Sequence, residues 1–393
     1  MIKKLFAIFI SVIAAGTAVF LWSCSPSDNF ADTWSFDETH HWRSALDGSD
    51  EVWGYEEHTG EECSVCGCIL QGSKDLIYSS CNYYYKDLCY VKGYDGYDKD
   101  IVVPSFHNGS AVIYIGEMAF SGKNIKSIRL ADGITGISRQ AFSWCSSLKE
   151  IILPESLTYI GDSAFEYCMS LETIEFPQSL ETISTNAFTE CEKLLQSENG
   201  ITYAGNWAVC ADKSLTTATL REGTVGISSG VFEDSVNLAE VTMPESLLRI
   251  GPFAFSGCSA LTSVSIPDSV ITIGGYAFSE CRALTDIDLG HAATIGTFAF
   301  FDCDSLTSAI IPEGVNTIYN LAFARCDKLE TVYLPESLSL VGDGAFFETP
   351  LNHVYYAGSE DQWKKIDMYG AAVSEAYGNT ELEEAYKTFN FNG

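Results

Sequence analysis

The chain has 393 residues, with 53 acidic side chains against 22 lysines and arginines, for a formal net charge of −31. A surface of that sign repels phosphate backbones, which argues against nucleic acid as a partner. The hydrophobic fraction of 46% supplies a long core, and the length permits two or three domains.

Lys3 and Lys4 precede an apolar run from Leu5 to Trp22, and Leu21-Trp22-Ser23-Cys24 follows. A basic start, a short apolar stretch and a small residue before the cut predict a secretory signal over residues 1–23. The tetrapeptide resembles a bacterial lipobox, which implies lipidation of Cys24 and membrane attachment through an N-terminal lipid. The competing reading is an uncleaved anchor, since 18 residues can just span a bilayer. Cleavage removes two lysines and takes the net charge from −31 to −33.

Residues 24–74 do not repeat and hold a concentrated Cys/His/Trp constellation. Asp37, His40, His41 and Trp42 are followed by His58 and a Cys63-Ser64-Val65-Cys66-Gly67 knuckle. Two thiolates and two imidazoles, from Cys63, Cys66, His41 and His58, make a candidate structural zinc site. The extra Cys68 and the export signal favour disulfides instead, Cys81 to Cys89 among them. The pattern of Trp34, His41, Trp42 and Cys-x-x-Cys-Gly resembles a small module found ahead of repeats in bacterial exported proteins, which implies no defined activity. No other cofactor is expected. Tyr83, Tyr84, Tyr85, Tyr90, Tyr94 and Tyr97 suit strand packing, with sugar stacking as the alternative.

From residue 75 to 350 the chain is periodic. Ala-Phe ends at Phe120, Phe142, Phe165, Phe188, Phe255, Phe278, Phe300, Phe323 and Phe346 in steps of 22 or 23 residues, with Val231-Phe232 inside the one wide gap. Such a period marks a solenoid, whose coils bury apolar side chains only by stacking on one another. One coil reads Cys168, Leu171, Ile174, Phe176, Pro177, Leu180, Ile183, Ala187, Phe188. The spacing of two between Ile174 and Phe176 is the strand period and predicts one short parallel strand per coil. The expected fold is an α/β-type repeat solenoid of mostly β character, a right-handed coil with a parallel sheet and about ten turns. Residues 201–212, with Trp207, form an irregular coil. Cys145, Cys168, Cys191, Cys258, Cys281, Cys303 and Cys326 each fall three residues after a coil phenylalanine. Stacked coils bring such thiols within reach of one another but point them in parallel, so a buried column of thiols is expected rather than disulfides.

The series Ile160-Gly161-Asp162-Ser163-Ala164-Phe165, Cys168, Leu171, Ile174, Phe176, Pro177 resembles the BspA-type leucine-rich repeat of bacterial surface proteins, over roughly residues 75 to 370. Val354-Tyr355-Tyr356-Ala357-Gly358 and Trp363 resemble the family's closing segment, which makes residues 351–393 a cap and tail. The resemblance implies an exported protein, at the cell surface or in the outer membrane, that adheres to host or neighbouring-cell macromolecules.

Two columns flank the inward residue of each strand. One holds Glu150, Thr173, Glu240, Ser263, Asp286, Ser308 and Thr331; the other holds Ile152, Glu175, Thr242, Ser265, Asp288, Ile310 and Tyr333. A repeated rigid face of this kind can bind an extended partner at little ordering cost, whether a surface protein or a glycan. An ordinary solvated face is the competing reading, because Thr and Ser suit strands without any partner. No H-E-x-x-H or phosphate-binding glycine loop is present, so no catalytic residue and no enzymatic activity is expected. Another candidate role is a stalk that presents the zinc- or disulfide-stabilised N-terminal module.

Overall fold

The computed structural model describes residues 71–80, 88–368, 382 and 385–389, together with the backbone of strands Ser11–Ala14, Thr17–Phe20, Trp34–Phe36, His40–Ser44 and Val52–Glu57. The chain divides into two units, Met1–Gly67 and Cys68–Gly393. In the first, Trp34–Phe36, His40–Ser44 and Val52–Glu57 form an antiparallel sheet in which His41 lies opposite Glu56 and Phe36.

The second unit is a mostly-β solenoid of about twelve turns, two more than the sequence period suggests, because coils form on both sides of the regular repeats. Most coils carry two parallel strands rather than one. The strand expected at Ile174 and Phe176 does not form, and that coil makes only the bridge from Thr173 to Glu150, but its counterparts elsewhere are Ser127–Leu130, Glu150–Ile152, Glu240–Thr242, Ser263–Ser265, Asp286–Asp288, Ser308–Ile310 and Thr331–Leu334. The other ladder is built from pairs such as Tyr159–Ile160, Arg249–Ile250, Thr272–Ile273 and Thr294–Ile295. A two-residue strand shows no alternation, so period alone cannot reveal it. The pair ladder is the spine: it runs unbroken from Trp207–Ala211 to Leu340–Val341, whereas the longer strands split into sheets of three, two, two and four.

Ala-Phe closes the third side. Phe255 and Phe278 have ring centroids 5.0 Å apart, Phe278 and Phe300 5.3 Å, with planes within 4° of parallel. These rings are fully buried. Ala-Phe segments would suit a helix by propensity, yet none of them is helical, and Glu360–Trp363 is a single helical turn whose N-cap Ser359 and Gln362 form a capping box. The helix is prevented by left-handed backbone on both sides of each phenylalanine, for example Ser163 and Tyr167 at φ 53° and 59°, and Tyr276 and Glu280 at 57° and 59°. Residues in that conformation turn their N–H groups along the solenoid axis. Tyr276 donates to Thr297, Phe278 to Ala299 and Glu280 to Phe301, at 2.7–2.9 Å. Backbone pairing therefore continues on this side without a strand.

The irregular coil is an antiparallel meander, Leu195–Glu198, Ile201–Ala204 and Trp207–Ala211. Its first turn is Asn199-Gly200 at φ 51° and 79°, the pair that a two-residue hairpin with left-handed central residues requires. Trp207 is buried over Gly226, and the meander divides the phenylalanine column into one run ending at Phe188 and another starting at Phe232. The core is correspondingly two clusters.

The C-terminal segment continues the stack. Tyr386–Phe389 pairs in parallel with His353–Tyr356, and Trp363 packs edge-on against Tyr356 at 5.3 Å. No helix among the described residues is long and apolar enough to cross a membrane.

Candidate recognition face

The longer-strand ladder presents the expected columns. In Glu150–Ile152, Ser263–Ser265, Asp286–Asp288 and Ser308–Ile310 the outer two residues are exposed and the middle one is buried. Alternation across the pleat places Val264, Ile287 and Ala309 in the core and sends their neighbours to solvent. Register aligns the columns: Ser263 pairs with Asp286, Ser265 with Asp288, Ser308 with Thr331 and Ile310 with Tyr333. Glu240 and Thr242 stand beside Thr217 and Thr219, and Thr173 bridges to Glu150. Glu175 is exposed one step along from Thr173.

The face has zones that its composition hides. Its middle, from Glu240 to Asp288, is acidic and short-chained, with the Ser265 hydroxyl donating to Asp288 Oδ2 at 3.4 Å. Toward the C-terminus it turns apolar: Ile310 is 61% exposed, and Tyr333 stacks on Tyr355 at 4.8 Å. Between Thr173 and Thr217 the meander interrupts it. At the N-terminal end the Ser127 hydroxyl donates to Asp100 Oδ1 at 2.6 Å. Just outside the columns, Lys193 Nζ lies 2.8 Å from Glu172 and holds that carboxyl below the usual range through the hydrogen bond first, with the charges of Lys193 and Lys149 adding to it.

The seven column cysteines are buried and free, so the thiol reading holds. Each thiol donates to the carbonyl of the phenylalanine one coil back, Cys145 to Phe120 at 3.0 Å and Cys258 to Phe232 at 3.2 Å among them. Burial pushes the Cys145, Cys191 and Cys258 thiols up to about 12. These groups cannot serve as nucleophiles or ligands at neutral pH. Cys210, outside the column, is exposed on the meander.

The histidines of the solenoid stand apart. His107 stacks on Tyr78 at 3.7 Å, His291 Nδ1 lies 2.7 Å from Asp268, and His353 is exposed on the longer-strand ladder. Among the described residues no cluster of His, Cys, Asp and Glu could hold a metal ion. Cys24, His58, Cys63, Cys66, Cys68, Cys81 and Tyr83 to Tyr85 lie outside the described residues, as does the side chain of His41. Cys89 is buried, with its thiol 3.7 Å from the Ser110 carbonyl.

Two of the remaining tyrosines of the sugar-stacking alternative serve packing. Tyr94 is buried against Phe120, and Tyr90 is stacked on Tyr114 at 4.6 Å. Rings stacked along the axis cover one another's faces and offer edges to solvent, whereas a sugar ring packs on a face. Tyr97, by contrast, is 94% exposed.

The sequence profile of the BspA type leucine rich repeat region matches residues 113–238 and 249–368, in six copies. A comparison with curated protein sequences gives no match. Among solved structures, a leucine rich cell surface protein from Faecalibacterium prausnitzii is similar at 23% identity, covering 77% of this chain and 99% of that one, with a TM-score of 0.31. A leucine-rich repeat protein from Bacteroides ovatus is 23% identical over 72% of this chain and 70% of that one, with a TM-score of 0.35. One from Eubacterium ventriosum is 18% identical over 76% and 95% respectively, with a TM-score of 0.40. With the profile covering more than half of its length, and with phenylalanine, cysteine and strand columns in register along the solenoid, the chain belongs to the BspA-type leucine-rich repeat family.

Proposed function

We propose that the protein is an exported, surface-held recognition scaffold that binds a protein of the host or of a neighbouring cell through its longer-strand ladder and performs no chemistry. The observation that carries this reading is the exposed face on which Glu240, Thr242, Ser263, Ser265, Asp286 and Asp288 stand in fixed rows. The rigid coil orders those side chains before any partner arrives, so association loses little conformational entropy. An acidic centre beside the apolar Ile310 and Tyr333 suits a basic partner with an apolar flank. Export through residues 1–23 and lipidation of Cys24 would hold the scaffold at the membrane surface.

The test is capture of partners from host-cell and neighbouring-cell surface extracts on the full chain, repeated with the double substitution Glu240→Lys and Asp286→Lys. The double variant should lose the wild-type partner, and the wild-type affinity should fall with added salt as screening hides the charges. Stability should move by no more than about 0.5 kcal/mol, because both positions are exposed. Retention of every partner by the variant at low salt would make the columns a solvated face.

A further inference from the structure

The left-handed column two residues after each phenylalanine carries, in successive coils, Gly122, Trp144, Tyr167 and Glu190. Trp144 stacks on Tyr167 at 4.0 Å, which covers one face of the indole. Its other face is turned to the coil of Gly122, where a Cβ would meet nothing within 4 Å. Trp144 is accordingly 54% exposed, although a bulky side chain at φ 63° carries a backbone cost. The aromatic column two residues before each phenylalanine behaves differently. Phe253, Tyr276 and Phe298 also stack, but the glycine before them, Gly230, has Glu233 Oε2 3.1 Å from where its Cβ would lie. Of these two columns, the Gly122 step is the one that leaves an aromatic face open to a ligand.

Beside that step is a cleft of about 490 Å³ lined by Asp95, Tyr97, Lys99, Gly122, Lys123 and Asn124 among others. The size falls within the range of small-ligand sites. Its upper wall is fixed before binding: the Asp98 N–H donates to the buried Tyr94 hydroxyl at 2.8 Å, which ties down the 95–98 loop. Gly96 leaves no room for a side chain against the Tyr94 ring. The charges cancel locally. Lys123 lies 3.7 Å from Asp95, Lys99 Nζ donates to the Asn124 carbonyl at 2.8 Å, and Asp98 balances Lys99 in formal charge. In a chain of net charge −31, a cleft whose own charges cancel, rimmed by hydrogen-bonding groups and the exposed ring of Tyr97, suits a neutral ligand, and the open indole face of Trp144 lies one coil on from its Gly122.

We infer that this cleft binds a neutral saccharide, with a pyranose ring packed on the open face of Trp144 over Gly122 and hydroxyls bonded by Asp95, Asp98 and Asn124 beside Tyr97. Aromatic faces take the apolar C–H side of a sugar, and short carboxylates and amides suit its hydroxyls. The site does not rest on the recognition face proposed above.

The experiment presents the full chain to an array of homo-oligomers of glucose, mannose, galactose and N-acetylglucosamine, with acidic oligosaccharides alongside, and titrates whatever binds. Binding of at least one neutral oligomer is expected with Kd below about 1 mM. Trp144→Ala and Tyr97→Ala should each weaken it about tenfold or more at unchanged melting temperature. The Glu240→Lys and Asp286→Lys pair should leave it unchanged, which separates this site from the recognition face. Failure to bind any neutral oligomer, selectivity for the acidic ones, or undiminished binding by both aromatic variants would each overturn the inference.

Discussion

Two positions in every regular coil hold left-handed backbone, and most are filled by residues that pay for it sterically: Gln140, Ser163, Glu190, Phe253, Glu280 and Arg325 are examples. Such a conformation costs an L-residue about 1–2 kcal/mol, and glycine almost none. The usual ordering, in which glycine destabilises, should therefore reverse here. Glu190 is exposed at φ 60°, and its carboxylate adds to the rise in the Cys191 thiol pKa. Glu190→Gly should stabilise the fold by about 0.5–1 kcal/mol after the greater entropy of the unfolded glycine is counted. Denaturant melts of the two proteins decide it, and a loss of stability would show that the turn is not strained at this residue. Substituting Tyr276 in the same way should lack the benefit, because its ring is stacked between Phe253 at 4.7 Å and Phe298 at 4.6 Å.

At the scale of the coil, stability comes from columns that only neighbouring coils complete. Phe278 is wholly buried between Phe255 and Phe300, and truncation leaves a cavity that two stacked rings cannot fill without breaking their own registers. Phe278→Ala should cost about 3–5 kcal/mol, read from denaturant melts. A loss under about 1 kcal/mol would mean that the coils relax into the gap. The repeat, the buried phenylalanine and thiol columns and the exposed Glu240 and Asp286 rows were legible because each rests on a side chain recurring at fixed spacing. Thr272–Ile273 and its counterparts were not, because a two-residue strand lacks a period and is held by backbone groups of adjacent coils. The meander is signalled by Asn199-Gly200 between strand-like flanks, but the pair sits just ahead of the irregular stretch 201–212 and belongs to no recurring column. Trp144 gave a weaker signal. Its exposure depends on the absent side chain of Gly122 one coil earlier, which appears only when coils are aligned in pairs.

For the whole molecule, six buried thiols act together on the response to alkali. Burial raises the pKa of Cys145, Cys191 and Cys258 from an ordinary 9.0 to about 12, and raises Cys168, Cys281 and Cys303 well above the ordinary value. The folded chain therefore holds these protons more tightly than the unfolded one, so their contribution is complete below pH 9 and is lost as pH climbs toward 12. Above the unfolded thiol pKa each group costs about 1.4 kcal/mol per pH unit, and six of them about 8 kcal/mol per unit. That slope equals the whole stability of an ordinary domain within about one unit. The solenoid should unfold cooperatively near pH 10, and its column thiols should react with a thiol reagent only across that transition. Circular dichroism and thiol titration over the same pH series test both points. Replacing Cys258 and Cys281 by alanine removes two of the six groups, so the pH dependence should flatten by about one third even though the cavities lower stability at neutral pH. A structure that persists to pH 12 with unreactive thiols, or an unchanged slope in the double variant, would show that the column does not govern the alkaline limit of the fold.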